Sequence, residues 1–406
     1  MKLFRLFALL LLAVAAVAQS KPIVLQVSTL LDGKGHVIHN TRVVVRDGKI
    51  AAIDPNAQGE LYDLRGLTVM PAFIDAHVHI TWHFGPSGKF GDRNETKEQA
   101  TYAVAQNAWD TLLGGFATVQ SLGSPEDAYL RAAVEKGEVP GPRVITALQP
   151  WSKNGEGVTD EQLKQYIDKE KQDGADVIKI FASKSIRDGG GPTLTEHQLS
   201  VLCGEAKAVG LRSVVHAYYR SVHDATVAGC TEIEHGTGAT DDELKLMAEK
   251  GVYFDPQACL VIKNYLEHKQ QYLGVGNYTE AGFAAMEKAL PEDIALYKRS
   301  IAVPGLKVIF GTDATAGAAG HNAEELICRV NDSGQKPMDA LVGAQSLAAE
   351  ALQIGDQVGS IAPGMQADII ALVGDPLQDI MAVRKVAFVM RKGVIYKNDV
   401  PARGGK

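Results

Sequence analysis

Between about residues 95 and 256, apolar and polar positions follow one repeated grammar: a Thr-x-x-Gln/Glu box, an amphipathic stretch of helical period, a glycine, and a short run apolar on both faces. Thr96 to Gln99 opens a helix that ends at Gly114-Gly115 and feeds "FATVQSL"; Thr159 to Gln162 opens one that ends at Gly174 before "ADVIKIF". Thr195 to Gln198 leads to Gly210 and "LRSVVHA", and Thr240 to Glu243 leads to Gly251 and "VYFDP". The box satisfies amides that the first helical turn leaves without partners, and the glycine supplies the left-handed residue that returns the chain to a strand. Strands apolar on both faces are the parallel kind, covered by helices on either side.

Adding "LTVMPAFIDAHVHI", "PRVITAL", "CTEIEHG" and "LKVIFGTDA" brings such strands to eight, which predicts an α/β fold, a closed (β/α)8 TIM-like barrel rather than an open sheet. The flanks read differently. "TRVVVRDGKIAAI" alternates around Asp47-Gly48, and "ADIIALVG" with "RKVAFVMRKGVIYK" alternates around Lys392-Gly393, both hairpin signatures. One small β-sandwich formed from both termini is the economical arrangement. The expected division is a leader over 1–18, sandwich over 19–70, barrel over 71–358 and sandwich again over 359–406. The excursion "NYLEHKQQYLGVGNYTEAGFAAMEKA", 264–289, is read either as a lid over the pocket or as an outer helical hairpin.

With 406 residues, 46% hydrophobic and 22% charged, the chain can bury a large core. The leader carries Lys2 and Arg5, then an apolar run from Leu6 to Ala18 that is short of the ~20 residues a membrane-spanning helix needs. It ends in Ala16-Val17-Ala18, which fits a secretory signal cleaved after Ala18 and predicts a secreted protein, periplasmic or extracellular, with no membrane attachment after cleavage. Loss of those two cations takes the net charge from -7 to -9. With no basic patch interleaved with aromatics, nucleic acid is excluded and the expected partners are small molecules, homo-oligomerisation being left open. Cys203, Cys230, Cys259 and Cys328 show no C-x-x-C spacing and sit in apolar or helical contexts, so buried free thiols are expected, with one disulfide allowed.

The strand ends carry the candidate chemistry. In "VMPAFIDAHVHI", His77 and His79 project to one side, because strand side chains alternate. Other strands end in Lys179 ("DVIKIF"), His216 ("SVVHAY"), His235 ("EIEHG") and Asp313 ("IFGTDA"). Alone, a strand-end histidine is an ordinary rim residue, Asp313 a helix cap and Lys179 a snorkelling side chain. Together, at the end of a barrel where active sites are built, they point to a shared cation. Lys179 is the odd member, since an ammonium has no lone pair. Two readings stand: the neutral amine captures carbon dioxide and becomes a carbamate able to bridge two cations, or the ammonium binds a substrate carboxylate beside one metal.

These residues, with "LLDGKG", "GGFATVQSLG", "GEVPGPRV", "IEHGT", "GTDATAGAAGHNAEEL" and "GSIAPGMQADIIAL", resemble the amidohydrolase superfamily, in the branch of imidazolonepropionase and the metal-dependent Xaa-Pro and Xaa-Arg dipeptidases, over nearly all of the chain that follows the leader. The resemblance implies a (β/α)8 barrel with a composite β-sandwich and a binuclear site. It implies His77, His79 and Asp313 as ligands of the more buried metal, His216 and His235 of the more exposed one, and N6-carboxylated Lys179 bridging both. Zinc is the default for such donors, with manganese, cobalt or iron also compatible. The chain departs from the family at Gln120 and Ser121, where relatives often read Arg and Asp, and at "LQPWSKNGEG", which replaces a glycine-histidine loop. Both departures bear on substrate rather than metal.

The implied reaction is attack of a metal-bridging hydroxide on a carbonyl carbon, with Asp313 moving the proton to the leaving amine. Tyr218 is a candidate donor to the carbonyl or tetrahedral oxygen, Arg220 a candidate for a substrate carboxylate, and His321 resembles a substrate-side histidine of relatives; His83 and His223 read as loop or helix residues. The expected activity is cleavage of an amide bond in a dipeptide or N-acyl amino acid. A cyclic amide, a lactone or a carboxylic ester would suit the same site, and the reading from another class is a non-catalytic barrel that binds a small ligand.

Overall fold

A computed structural model describes residues 21–400; the expected leader and residues 401–406 lie outside them. The N-terminal flank forms β1 (Ile23–Leu31), β2 (Val37–Arg46), β3 (Lys49–Ile53), β4 (Glu60–Asp63) and β5 (Leu67–Pro71). Strands and helices then alternate: β6 (Phe73–Val78), α1 (Lys97–Leu113), β7 (Phe116–Ser121), α2 (Asp127–Glu135), β8 (Arg143–Thr146), α3 (Asp160–Asp173), β9 (Val177–Phe181), α4 (Glu196–Ala208) and β10 (Arg212–Ala217). The alternation continues through α5 (Arg220–Val227), β11 (Glu232–His235), α6 (Asp241–Lys250), β12 (Tyr253–Asp255), α7 (Leu260–Glu267), α8 (Lys269–Tyr272), α9 (Glu280–Ser300), β13 (Lys307–Val308) and α10 (Ala323–Asn331). The chain closes with β14 (Ile369–Val373), β15 (Val386–Arg391) and β16 (Val394–Asn398).

All four predicted capping boxes form: Thr96, Thr159, Thr195 and Thr240 each accept the amide three residues on and receive the Gln or Glu side chain in return. Both hairpins turn on paired positive φ, Asp47 and Gly48 at 50° and 75°, Lys392 and Gly393 at 48° and 77°, the geometry whose twist matches that of the strands it joins. The termini meet where β14 runs antiparallel to β5, so the flanks pair as one eight-stranded sheet. That sheet curls until both outer hairpins meet the segment before β14, Gly393 N–H donating to Ala367 O at 3.1 Å and Ile50 N–H to Met365 O at 2.8 Å. One face buries Leu25, Val43, Ile369 and Phe388; the other packs Met70, Ile370 and Val389 against the helical unit.

The parallel strands form two arcs, β6-β7-β8 and β9-β10-β11-β12-β13. Hydrogen bonds join their edges at both places. Trp151 N–H donates to Lys179 O at 2.9 Å and Phe181 N–H to Trp151 O at 2.8 Å; on the other side Ala76 N–H reaches Phe310 O and His79 N–H reaches Ala314 O, at 2.9 and 2.8 Å. The chain after β13 lies so close to Asp255 that a Cβ on Gly311 would stand 1.8 Å from its Oδ2, and only glycine passes there.

The thiol expectation is corrected. Among the described residues no cysteine is free: Cys203 pairs with Cys230, and Cys259 pairs with Cys328. Separations of 27 and 69 residues are closed by neighbouring helix-strand units stacking side by side, which local sequence does not show. Residues 264–289 are largely helical with exposed charges such as Glu267, Glu287 and Lys288, while Tyr265, Tyr272 and Tyr278 are buried and Tyr272 packs on Phe84 and Phe90 from the loop after β6 with ring centroids 5.3 and 5.1 Å apart.

Arg329 ties these elements together. Its guanidinium lies between the rings of Tyr297 and Phe310, donates to Asp255 Oδ1 at 3.0 Å and Glu325 Oε1 at 2.9 Å, and reaches the carbonyls of Ile309 and Gly311. Glu325 in turn accepts the amides of Ala258, Cys259 and Leu260, the open start of α7. Arg329→Met leaves two buried carboxylates without their cation and is expected to cost about 3–5 kcal/mol in urea unfolding; a loss below about 1 kcal/mol, the scale of an exposed ion pair, contradicts this role.

Candidate metal centre

His77 and His79 leave the end of β6 toward Asp313, which follows β13. His79 Nε2 lies 3.1 Å and His77 Nε2 3.4 Å from Asp313 Oδ1, and one ligand atom from each of the three falls within 4.8 Å of the others. His216, at the end of β10, and His235, at the end of β11, stand beside them: ring centroids are 4.6 Å apart for His216 and His235 and 5.6 Å for His77 and His235. Lys179, from β9, is fully buried and lines the same cavity as all five.

The hydrogen bonds set the lone pairs. His77 Nδ1 is 2.5 Å from Glu234 Oε2, so its proton points at that carboxylate and the Nε2 lone pair faces Asp313. His79 Nδ1 likewise faces the Gly123 carbonyl at 3.5 Å, with Nε2 toward Asp313. Two imidazole nitrogens thus converge on one carboxylate oxygen, a donor set that fits a cation. His77 Nε2 and Lys179 Nζ are buried without a hydrogen-bond partner, a cost that metal ligation at the one and modification at the other would remove. The residues therefore fit a divalent cation site.

Burial, reinforced by Lys179, drives the pKa of His77 well below the usual histidine range and that of His216 down to about 3; burial and the neighbouring His216 do the same for His235. All three imidazoles are neutral donors at neutral pH. Burial also lowers the Lys179 pKa, against the pull of Glu234 and Asp313, and so favours the free amine. Burial would raise Asp313, but His77, His79 and Lys179 outweigh it and hold the carboxylate ionised. Tyr218, stacked on His235 at 5.3 Å, is pushed well above the usual tyrosine range by burial and then by Asp293 and Asp313, so it keeps its proton.

The cavity of about 110 Å³ is roofed by Trp82, stacked on His79 at 4.1 Å, and walled by Val261, Ile262, Tyr265 and Tyr278. Two of the expected substrate residues lie elsewhere. Arg220 opens α5 with a side chain 65% exposed and bonded to Asp224 at 2.7 Å. His321 is exposed beside a neighbouring cleft, because the turn before α10 directs Asn322 inward instead, its Nδ2 donating to Asp75 Oδ2 at 2.7 Å. His83 bonds Glu95 and the Thr81 carbonyl, and His223 lies 3.4 Å from Asp224. Gln120 sits beneath the centre, donating to Ala76 O at 2.8 Å and contacting Arg212, so its departure from the family pattern does not reach the pocket.

Sequence reasoning missed the cation that does line the pocket. Arg187, in the turn Ile186–Asp188 after β9, stacks over Tyr278 at 4.1 Å and Tyr265 at 5.4 Å and donates to Asn277 Oδ1 at 3.0 Å. Also missed were Glu234, which bonds His77 Nδ1, and Gln257, which accepts the His235 backbone N–H. The available signal was in "TEIEHG", where acidic residues alternate through an otherwise apolar strand and need buried partners.

Residues 68–396 match the amidohydrolase family. Ochratoxinase of Aspergillus niger is 24% identical, over 95% of this chain and 89% of its own length. Imidazolonepropionase of Geobacillus sp. (strain WCH70) is also 24% identical, over 82% and 84%. A solved Xaa-Pro dipeptidase with methionine bound in its active site superposes with a TM-score of 0.82 at 25% identity, over 93% of this chain and 100% of the other.

Zinc added to metal-free protein at 100 times its dissociation constant is expected to stabilise the fold by about 2.7 kcal/mol in thermal or urea unfolding. His79→Ala should lose most of that gain at the same zinc concentration, and an undiminished gain would show that the ion binds elsewhere.

Proposed function

The chain belongs to the amidohydrolase family and is an enzyme acting on carbon–nitrogen bonds, and from that premise we propose that it is a secreted binuclear hydrolase that cleaves the amide bond of a small substrate carrying a free carboxylate, a dipeptide or an N-acyl amino acid. The observation that carries this reading is the convergence of His77, His79 and Asp313 next to the His216–His235 pair and the partnerless amine of Lys179. The edge bonds between the two strand arcs support a closed (β/α)8 barrel, at whose strand ends such sites lie. His77, His79 and Asp313 would hold one divalent cation, His216 and His235 another, and Lys179, as its carbamate, both. Imidazole and carboxylate donors favour zinc. When bound, the cations supply Lewis acidity toward the scissile carbonyl and a water made acidic enough to attack at neutral pH.

The side chains do the rest. Asp313, as a carboxylate, takes the proton of the attacking water and delivers it to the departing amine. Tyr218, kept protonated by burial, donates to the oxygen that gains charge as the carbonyl becomes tetrahedral. Arg187, held by Tyr278, Tyr265 and Asn277, presents its remaining donors to the substrate carboxylate, the role that sequence alone suggested for Arg220. Trp82 and the α7 side chains exclude water from that end. Two disulfides support an oxidising compartment, and no helix among the described residues is long and apolar enough to cross a membrane.

Asp313→Asn is expected to keep much of its metal and lose at least about 10²-fold in kcat on a dipeptide and N-acyl amino acid panel; wild-type turnover in that variant removes the proton-transfer role. Arg187→Met should raise KM for carboxylate-bearing amides by roughly tenfold or more while sparing the corresponding methyl esters, and Arg220→Ala should change neither. Equal sensitivity of acid and ester substrates to Arg187→Met would overturn the carboxylate assignment, and a panel in which only esters or lactones react would overturn the amide assignment.

A further inference from the structure

Two ligand candidates, one from each half of the proposed centre, answer to a single amide side chain. Strand alternation sends Glu234 and His235 to opposite faces of β11, yet both reach the interior, because His235 adopts a φ of 63°, unfavourable for any residue with a Cβ. Gln257 holds it there: its Oε1 accepts the His235 N–H at 3.1 Å. The other end of the same amide, Nε2, donates to Glu234 Oε2 and Asp255 Oδ2, each at 2.6 Å, and lies 3.2 Å from His77 Nδ1. Glu234 is the carboxylate that orients His77, and Asp255 is anchored by Arg329 and the Gly311 amide.

Without a donor between them, those two buried carboxylates would repel, and Glu234 would lose the position from which it fixes the His77 ring. Gln257 is buried at the cavity floor, with its nitrogen used on the His77 side and its oxygen on the His235 side. We propose that Gln257 is the positioning residue that registers the two halves of the metal centre against each other, tuning the His77–His79–Asp313 group through Glu234 and the His216–His235 pair through the backbone of His235. This inference rests on the two-cation reading above.

The test is calorimetric titration of metal-free protein with zinc, the two binding steps being assigned with His79→Ala and His216→Ala. Gln257→Glu keeps an oxygen for the His235 N–H and replaces the nitrogen that serves Glu234 and Asp255. It is expected to weaken binding at the His77 group by roughly 10–100-fold while leaving the His216–His235 step within about threefold of wild type. Gln257→Met, with no donor and only a weak thioether acceptor, should weaken both steps; where it fails to fold, Gln257→Glu decides alone. Wild-type affinity at the His77 group in Gln257→Glu, or equal losses at both steps, overturns the inference and leaves the two-cation reading intact. A wild-type protein that binds no zinc overturns both.

Discussion

A primary amine buried at the centre of a protein with no hydrogen-bond partner is pushed toward its neutral form. Lys179 is in that position: fully buried, with His216, His235 and His77 around it and Asp313 across the cavity. Charged, it would forgo hydration with no hydrogen bond in return. Burial therefore favours the neutral amine, which is nucleophilic and able to take up carbon dioxide. Carbamylation, as proposed, would turn Lys179 into an anion beside the neutral imidazoles and Asp313, a set suited to holding cations. The neutrality of His77, His216 and His235 and the ionisation of Asp313 suit the same target.

Around that centre the interior places its charges in compensated groups. Beneath it, Arg212 pairs with Glu232 and contacts Gln120; to one side, Arg329 answers Asp255 and Glu325; within β6, Asp75 is satisfied by Thr312 and Asn322. These groups are costly to bury and would be poor stabilisers if judged one pair at a time. Their value here is geometric. Each fixes a chain segment that carries a ligand or a pocket wall: the Asp75 group holds the segment with Asp313, and Glu325 holds the first turn of α7, whose Val261, Ile262 and Tyr265 face the substrate cavity. The Cys259–Cys328 disulfide crosses the same joint.

The features readable from sequence are those whose cause is local. A Thr-x-x-Gln box, a positive-φ turn at Asp-Gly or Lys-Gly, and a histidine at the end of an apolar strand each follow from spacing within one element, and each is where the chain predicts it. The strand-end residues share a cavity because parallel strands present their ends on one side. What sequence did not reveal depends on partners far along the chain. Arg187 lines the pocket only because Tyr265 and Tyr278 hold it, and Gln257 matters only because Glu234, Asp255 and His235 meet at its two ends. Arg220 and His321 lie off the cavity for the complementary reason: each sits near a strand-end candidate in sequence but is turned outward by the start of the next helix.

The most direct test of a cation pair bridged by a modified lysine is a crystal structure of the zinc-loaded, bicarbonate-treated protein with anomalous data at the zinc edge. The account predicts two anomalous peaks, one against His77, His79 and Asp313 and one against His216 and His235, with density extending Lys179 into a carboxylate between them. A single peak beside an unmodified lysine, or peaks remote from these side chains, would contradict it.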